Sequence, residues 1–184
     1  MLGDVRVEQS SGSNRMTVAE YLAAHAIAVK SVDRAQAAAL GIEAPVPAGW
    51  QAAPEEQFPG ATQVLVEPGL VEGGFAPNAV LLVGSLSTRI EADALLDCSF
   101  TDARAMSGWV EAEASSDPFG GHPSRFIRGT FVAEQWELAV TTRYIVVQSE
   151  TQYLVQLTVT TFADHADKLA FDIDAINTGL LHTI

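Results

Sequence analysis

Apolar and polar positions alternate most regularly in the second half of the chain. Over Ser124 to Ala133, Trp136 to Val147 and Gln152 to Thr161 the alternation predicts three strands, joined by short turns near Glu134-Gln135 and Ser149-Glu150. In the third, Tyr153, Val155, Leu157 and Val159 share a face, while Gln152, Gln156, Thr158 and Thr160 line the other. Residues 110–116 read as a further strand, followed by the turn Asp117-Pro118-Phe119-Gly120-Gly121. Upstream, Ala79 to Leu86 is apolar at both parities, the mark of a central strand covered on both sides. Thr62 to Glu67 alternates, with Val64 and Val66 on one face. Ile42-Glu43-Ala44-Pro45-Val46-Pro47 predicts an edge strand, because its two prolines withhold ladder donors. Between the last two strands, Pro68 to Asn78 gathers glycines and prolines around Phe75 and reads as a loop.

Helical spacing appears near the start, the middle and the end. Thr17 followed by Glu20 is a capping box, in which hydroxyl and carboxylate satisfy each other's backbone amides; the helix behind it carries Val18, Tyr21, Leu22 and His25. Ala35 to Leu40 suits one further turn or a strand. Residues 90–106 place Leu95, Leu96, Ser99, Ala103 and Met106 along one side, and Ser107-Gly108 ends that helix. Asp164 is expected to cap the last helix, whose inner positions are Ala166, Leu169, Ala170, Ile173, Ile176, Asn177 and Leu180; only Asn177 interrupts that apolar stripe. Strands in runs with helices between the runs make an α+β protein with a mainly antiparallel sheet, not an alternating βαβ pattern. A single domain is expected over residues 16–184 behind a mobile Ser/Gly/Asn-rich leader over residues 1–15.

Composition narrows the partners. Ten Lys and Arg against 23 Asp and Glu give a net charge of −13, and no basic cluster offsets it locally. Nucleic acid and anionic membrane surfaces are therefore disfavoured. Cys98 is the single cysteine, so neither an intrachain disulfide nor a multi-cysteine metal site can form. No stretch is long and apolar enough for a transmembrane segment. The first fifteen residues lack a basic region followed by an apolar one, so either the chain as given is cytoplasmic or an export segment was removed from it, which would make it an envelope or secreted protein.

Reactive constellations are sparse. The nearest approach to a nucleophile elbow is Val83-Gly84-Ser85-Leu86-Ser87, which lacks the second glycine. Neither phosphate-cradling glycine motif occurs, and the four histidines never pair at metal-ligand spacing. Asp164, His165 and Asp167 suit a helix start, where carboxylates complement the dipole. Asp93 and Asp97, four residues apart, read as an exposed helix face, and Cys98 as a small buried hydrophobe. No cofactor is implied. Binding features are more numerous: Phe75, Trp109 and Phe119 stand in or beside Gly-rich loops, and the middle helix is small at Ala94, Ser99 and Ala103, which leaves room for an apolar cleft or merely allows a close approach of helix to sheet. The expected ligand-binding residues are Phe75, Leu95, Ser99, Ala103, Trp109 and Phe119.

Several strings in order, Thr17-Val18-Ala19-Glu20-Tyr21-Leu22, Pro45-Val46-Pro47-Ala48-Gly49-Trp50, Pro77-Asn78-Ala79-Val80, Gly121-His122-Pro123-Ser124, Thr142-Arg143-Tyr144 and Tyr153-Leu154-Val155-Gln156-Leu157-Thr158, resemble the actinobacterial LpqN/LpqT lipoprotein family over residues 17–182. The resemblance implies a PsbP-like fold, an antiparallel sheet sandwiched between helices. It also implies an envelope-associated, non-enzymatic binding protein for lipids, trehalose glycolipids or a protein partner. It brings no catalytic or binding motif that transfers residue by residue. A lipid-accepting cysteine is not seen: Cys98 is mid-chain and follows Asp97. The leading expectation is thus a binding module that holds an apolar or amphiphilic ligand, a lipid or glycolipid, between the sheet and the middle helix. The alternative is a protein–protein adaptor using a sheet face or the last helix, with Phe171 in its patch, and a hydrolase on Ser85 or Ser124 stands third.

Overall fold

A computed structural model describes residues 16–182; the leader expected over residues 1–15 lies outside the described residues. The element order is α1 (Val18–Ala24), β1 (Val29–Ser31), α2 (Arg34–Ala39), β2 (Gln51–Ala52), β3 (Gln63–Val66), β4 (Asn78–Leu86), α3 (Ala92–Arg104), β5 (Val110–Ser115), β6 (Ser124–Ala133), β7 (Trp136–Val147), β8 (Tyr153–Phe162) and α4 (Ala170–Thr178). All strand pairs are antiparallel, in the order β2-β3-β4-β8-β7-β6-β5, with β1 added beside β3 on the same edge of β4. This is the α+β arrangement expected, with helices on both sides of one sheet.

The two parities of the central strands build two cores. Ala79, Leu81 and Val83 of β4, Val155, Leu157 and Val159 of β8 and Ile145 of β7 face α2 and α4, joining Ala37, Trp50, Leu169, Ile176 and Leu180. On the opposite face Leu86, Leu154, Tyr144 and Val146 meet α1 and α3 through Val18, Leu95, Leu96 and Cys98. The doubly apolar run over Ala79 to Leu86 is covered on both sides only in part: Ala79, Leu81 and Val83 are buried on one face and Leu86 on the other, but Leu82 stands 37% exposed.

The Thr17 and Glu20 box is formed, with the Glu20 amide donating to Thr17 Oγ1 at 3.2 Å and the Thr17 amide to Glu20 Oε2 at 2.8 Å. Two expectations need correction. Residues 42–47 form no edge strand; only Ile42 bridges Leu181. The two prolines leave too few donors for a ladder, and the buried Gln63 side chain substitutes for one, accepting from the Ala44 amide and donating to the Ala44 carbonyl, both at 2.9 Å. The last helix starts later than expected. Asp164 lies in a short 3₁₀ turn over Ala163–His165, and α4 begins at Ala170 without a side-chain cap.

Candidate functional site

α4 covers only part of its side of the sheet. Its inner residues seal β4 and β8, and Asn177 reaches β7, but among the described residues no helix covers β6 and β5 on this face. The result is a cleft of about 570 Å³ between α4 and the β5-β6-β7 end of the sheet. That size falls in the ~300–1,000 Å³ range of small-molecule pockets. Phe126, Ala139 and Val159 lie along the floor, and Ala166, Ala170 and Ile173 form the helix wall.

Three polar side chains interrupt this lining. Asn177, the residue that breaks the apolar stripe of α4, is 3% exposed. Its Nδ2 donates to Thr141 Oγ1 and to the Ile173 carbonyl, both at 2.9 Å. The Ile173 carbonyl fixes the amide's orientation, and Oδ1 is left buried with no hydrogen-bond partner among the described residues. Thr141, itself buried, accepts from Asn177 and so keeps its hydroxyl proton for another acceptor.

The third is Arg143. Its guanidinium carbon stands 4.2 Å from the Phe119 ring centroid and 4.6 Å from that of Phe126, so the cation is flanked by two aromatic rings. Its Nε is buried without a hydrogen-bond partner, and no carboxylate forms an ion pair with it among the described residues. Burial pulls the Arg143 pKa below its usual value, partly offset by the more distant charges of Glu113 and Asp174. Arg128, at the mouth of the same cleft, is already engaged with Glu113 at 2.7 Å.

A second cleft of about 340 Å³ lies on the other face, bordered by α1, Asp102 of α3 and an uncovered strip of β4 and β8 that includes Leu82. Asp102 accepts from the Val18 amide at 3.3 and 3.4 Å and from the Tyr144 hydroxyl at 3.5 Å. Burial raises the Asp102 pKa, outweighing those hydrogen bonds, and burial likewise raises that of Tyr144.

The six expected ligand-binding residues are not gathered in one place. Leu95, Ser99 and Ala103 are 0, 2 and 3% exposed on the inner side of α3 and line neither cleft. Phe75 packs edge-on against Phe162, 4.9 Å between centroids, in a cluster with Trp136 and His165. Trp109 lies over Gly129, where any Cβ would collide with the indole and with the Val110 carbonyl. Phe119 alone reaches the larger cleft, through its stacking on Arg143. Sequence reasoning missed Arg143, Thr141 and Asn177; the polar break at Asn177 was the available signal.

Other readings of reactive residues resolve into structure. Asp93 and Asp97 do more than solvate α3: both bind Arg125, at 3.0 and 2.7 Å. The Ser85 hydroxyl donates to the Lys30 carbonyl at 3.4 Å, and Ser124 is fully buried. No hydrogen bond joins either serine to a histidine among the described residues.

The family model of the probable lipoprotein LpqN matches residues 14–182. The chain belongs to the Lpp-LpqN family. Among curated relatives, this family member is 32% identical over 142 residues to the proline-rich 28 kDa antigen homolog of Mycobacterium leprae, covering 77% of this chain and 51% of that protein. It is 29% identical over 146 residues to the putative lipoprotein LpqT of Mycobacterium tuberculosis, covering 77% and 62%. The chain thus spans about half to three-fifths of the length of these relatives. The fold matches the crystal structure of LpqN of Mycobacterium tuberculosis, described as involved in cell envelope biogenesis, with a TM-score of 0.76 at 20% identity over 87% of this chain and 93% of that one. Relatives named as lipoproteins point to the cell envelope for the family, which leaves the cytoplasmic alternative without support. Among the described residues, no helix is long and apolar enough to cross a membrane.

Proposed function

We propose that this Lpp-LpqN family member is a non-enzymatic binding protein for an amphiphile of the lipid or glycolipid class, acting in the cell envelope. The observation that carries the reading is the 570 Å³ cleft between α4 and the β5-β6-β7 end of the sheet, with an apolar floor and wall and a few convergent polar groups. The seat differs from the one expected from sequence: α4, not the middle helix, forms its wall. Supporting the envelope role is the structural relative described as involved in envelope biogenesis. Supporting a binding rather than catalytic role is the arrangement of the polar groups. Arg143, Thr141 and Asn177 hold and orient, and none of them is a nucleophile paired with a base.

Ala170 is exposed on the cleft wall, so Ala170→Trp blocks the cleft without disturbing either core. Calorimetric titration with single-tailed lipids and trehalose esters is expected to show one saturable site per chain, abolished in Ala170→Trp. No binding by the wild-type protein across that panel would overturn the reading.

A second reading, a protein–protein adaptor, draws on Phe171, which stands 84% exposed on α4. Light scattering and affinity capture with Phe171→Ser as control test it: a captured partner lost in the variant supports it, and a monomer that captures the same proteins with or without Phe171 refutes it.

A further inference from the structure

A cation taken out of water is costly unless an anion or a full set of acceptors meets it. Arg143 is half-buried, and its buried Nε meets neither. Its guanidinium borders the larger cleft, packed against the Phe119 and Phe126 rings, with Nε unpartnered and no carboxylate in ion-pair contact among the described residues. We propose that the cleft selects an amphiphile with an anionic head, carboxylate or phosphate, which binds in the plane of the Arg143 guanidinium while its tail lies along Phe126, Ala139 and Val159. This rests on the amphiphile reading above and adds the charge and direction of the ligand.

The stacking supports it. Rings packed against a guanidinium take up its faces rather than its edge, and the edge carries the paired N–H donors that match two oxygens of one anion. Thr141, two residues along the same face of β7, has a hydroxyl proton to donate to the same head. The charges facing Arg143 leave room for an anion. Glu113 of β5 is held by Arg128 at 2.7 Å. Asp117 after β5, Asp167 before α4 and Asp174 on it also line the cleft, are exposed and pair with no cation among the described residues. Their repulsion acts through water, where charges are screened within about 8 Å at physiological salt. The net charge of −13 opposes docking on an anionic surface, so the ligand is a single molecule that enters the cleft, not a membrane.

The test compares ligands with one tail and different heads: tetradecanoate, tetradecyl phosphate and the neutral ester 1-monomyristoylglycerol, each titrated calorimetrically at pH 8 below its aggregation threshold. The wild-type protein is expected to prefer an anionic head over the glyceride by about tenfold or more, the worth of a charged hydrogen-bonded contact. A preference for either anion supports the proposal and names the head. Arg143→Met should abolish the preference, bringing the two anions to the affinity the same variant shows for the glyceride, while Arg143→Lys retains part of it. Equal affinity of all three ligands for the wild-type protein overturns the anionic head and leaves the amphiphile reading standing. Acetate or inorganic phosphate binding as tightly as the long-chain anions overturns the role of the tail. Failure of all three long-chain ligands overturns both.

Discussion

Two arginines on neighbouring strands face opposite sides of the sheet and meet opposite fates. In the β6-β7 register Arg125 stands across from Tyr144, and the next pair sets Phe126 across from Arg143. One step of the pleat therefore sends one cation toward α3 and the other toward α4. The Arg125 side chain, 8% exposed, is gripped by Asp97 at 2.7 Å and Asp93 at 3.0 Å, and it donates to the Ser124 carbonyl at 2.9 Å. Two carboxylates four residues apart on α3 straddle it, and the seam beneath that helix closes around Leu95, Leu96 and Cys98, each 0% exposed. On the α4 side the nearest helix carboxylate, Asp174, points to solvent, and the guanidinium is left to rings. A buried charge that is matched locks a helix to its sheet. An unmatched one forms no ion pair within the fold and is suited to what enters from outside.

The largest expected effect comes from unmatching Arg125. Asp93→Asn with Asp97→Asn leaves that buried cation uncompensated, and should cost about 3 kcal/mol, the lower end for a broken buried pair because both carboxylates are largely exposed. Thermal unfolding should show the midpoint falling by roughly 6–12 °C. A loss as small as for ordinary surface charges would mean that α3 is held by its apolar face alone.

The seam itself is tested by overfilling. Sequence spacing left open whether the small residues of α3 made room for a ligand or allowed close approach. With Ser99 at 2% and Ala103 at 3% exposure the structure favours close approach. Ser99→Leu should therefore destabilise by about 1–3 kcal/mol through overpacking, read by denaturant titration. An unchanged midpoint would show that the space expected under the middle helix exists after all.

The same contrast explains what sequence reveals. Strands β6 and β7 were legible to the residue because alternation is imposed locally, wherever one face of a strand is covered differently from the other. The capping box was legible because its two partners lie three residues apart. The cleft was not, because it is made where α4 fails to cover β5 and β6, and no local pattern encodes the absence of a neighbour. Arg143 looks like any polar member of an alternating strand; its isolation depends on Phe119, Phe126 and the path of α4. Residues 42–47 failed for a related reason: the donors missing at Pro45 and Pro47 were foreseen, but not that Gln63, from β3, would supply a side-chain ladder in their place.

Removing the unmatched cation should act the other way from removing the matched one's partners. Arg143→Met trades a desolvated charge for a hydrophobe of similar length between two rings, and stability should be unchanged or higher by about 1 kcal/mol. Denaturant titration without ligand checks this. A loss of more than about 2 kcal/mol would mean that stacking on Phe119 and Phe126 holds the β6-β7 end together, and would place Arg143 beside Arg125 as a structural residue.

The smallest effect concerns Asp102, the one carboxyl on the α3 side that burial shifts upward. Its cleft desolvates the charged form more than the Val18 amide and Tyr144 hydroxyl stabilise it, with Glu20 adding repulsion. The folded pKa therefore lies above that of the unfolded chain, near ~3.9 for an aspartate. Below that value Asp102 is protonated in both states and costs nothing. As pH rises the unfolded chain ionises first, so the native state binds more protons and stability declines until the raised folded pKa is passed, then stays level. Asp102→Asn has no such ionisation, and its amide can still accept from Val18 and donate to Tyr144. The stability difference between variant and wild type should consequently move in the variant's favour as pH rises from about 4, and flatten above the folded pKa. A difference that moves toward the wild type over that interval would show that the hydrogen bonds from Val18 and Tyr144 outweigh desolvation, making Asp102 a second matched charge on the α3 side of the sheet.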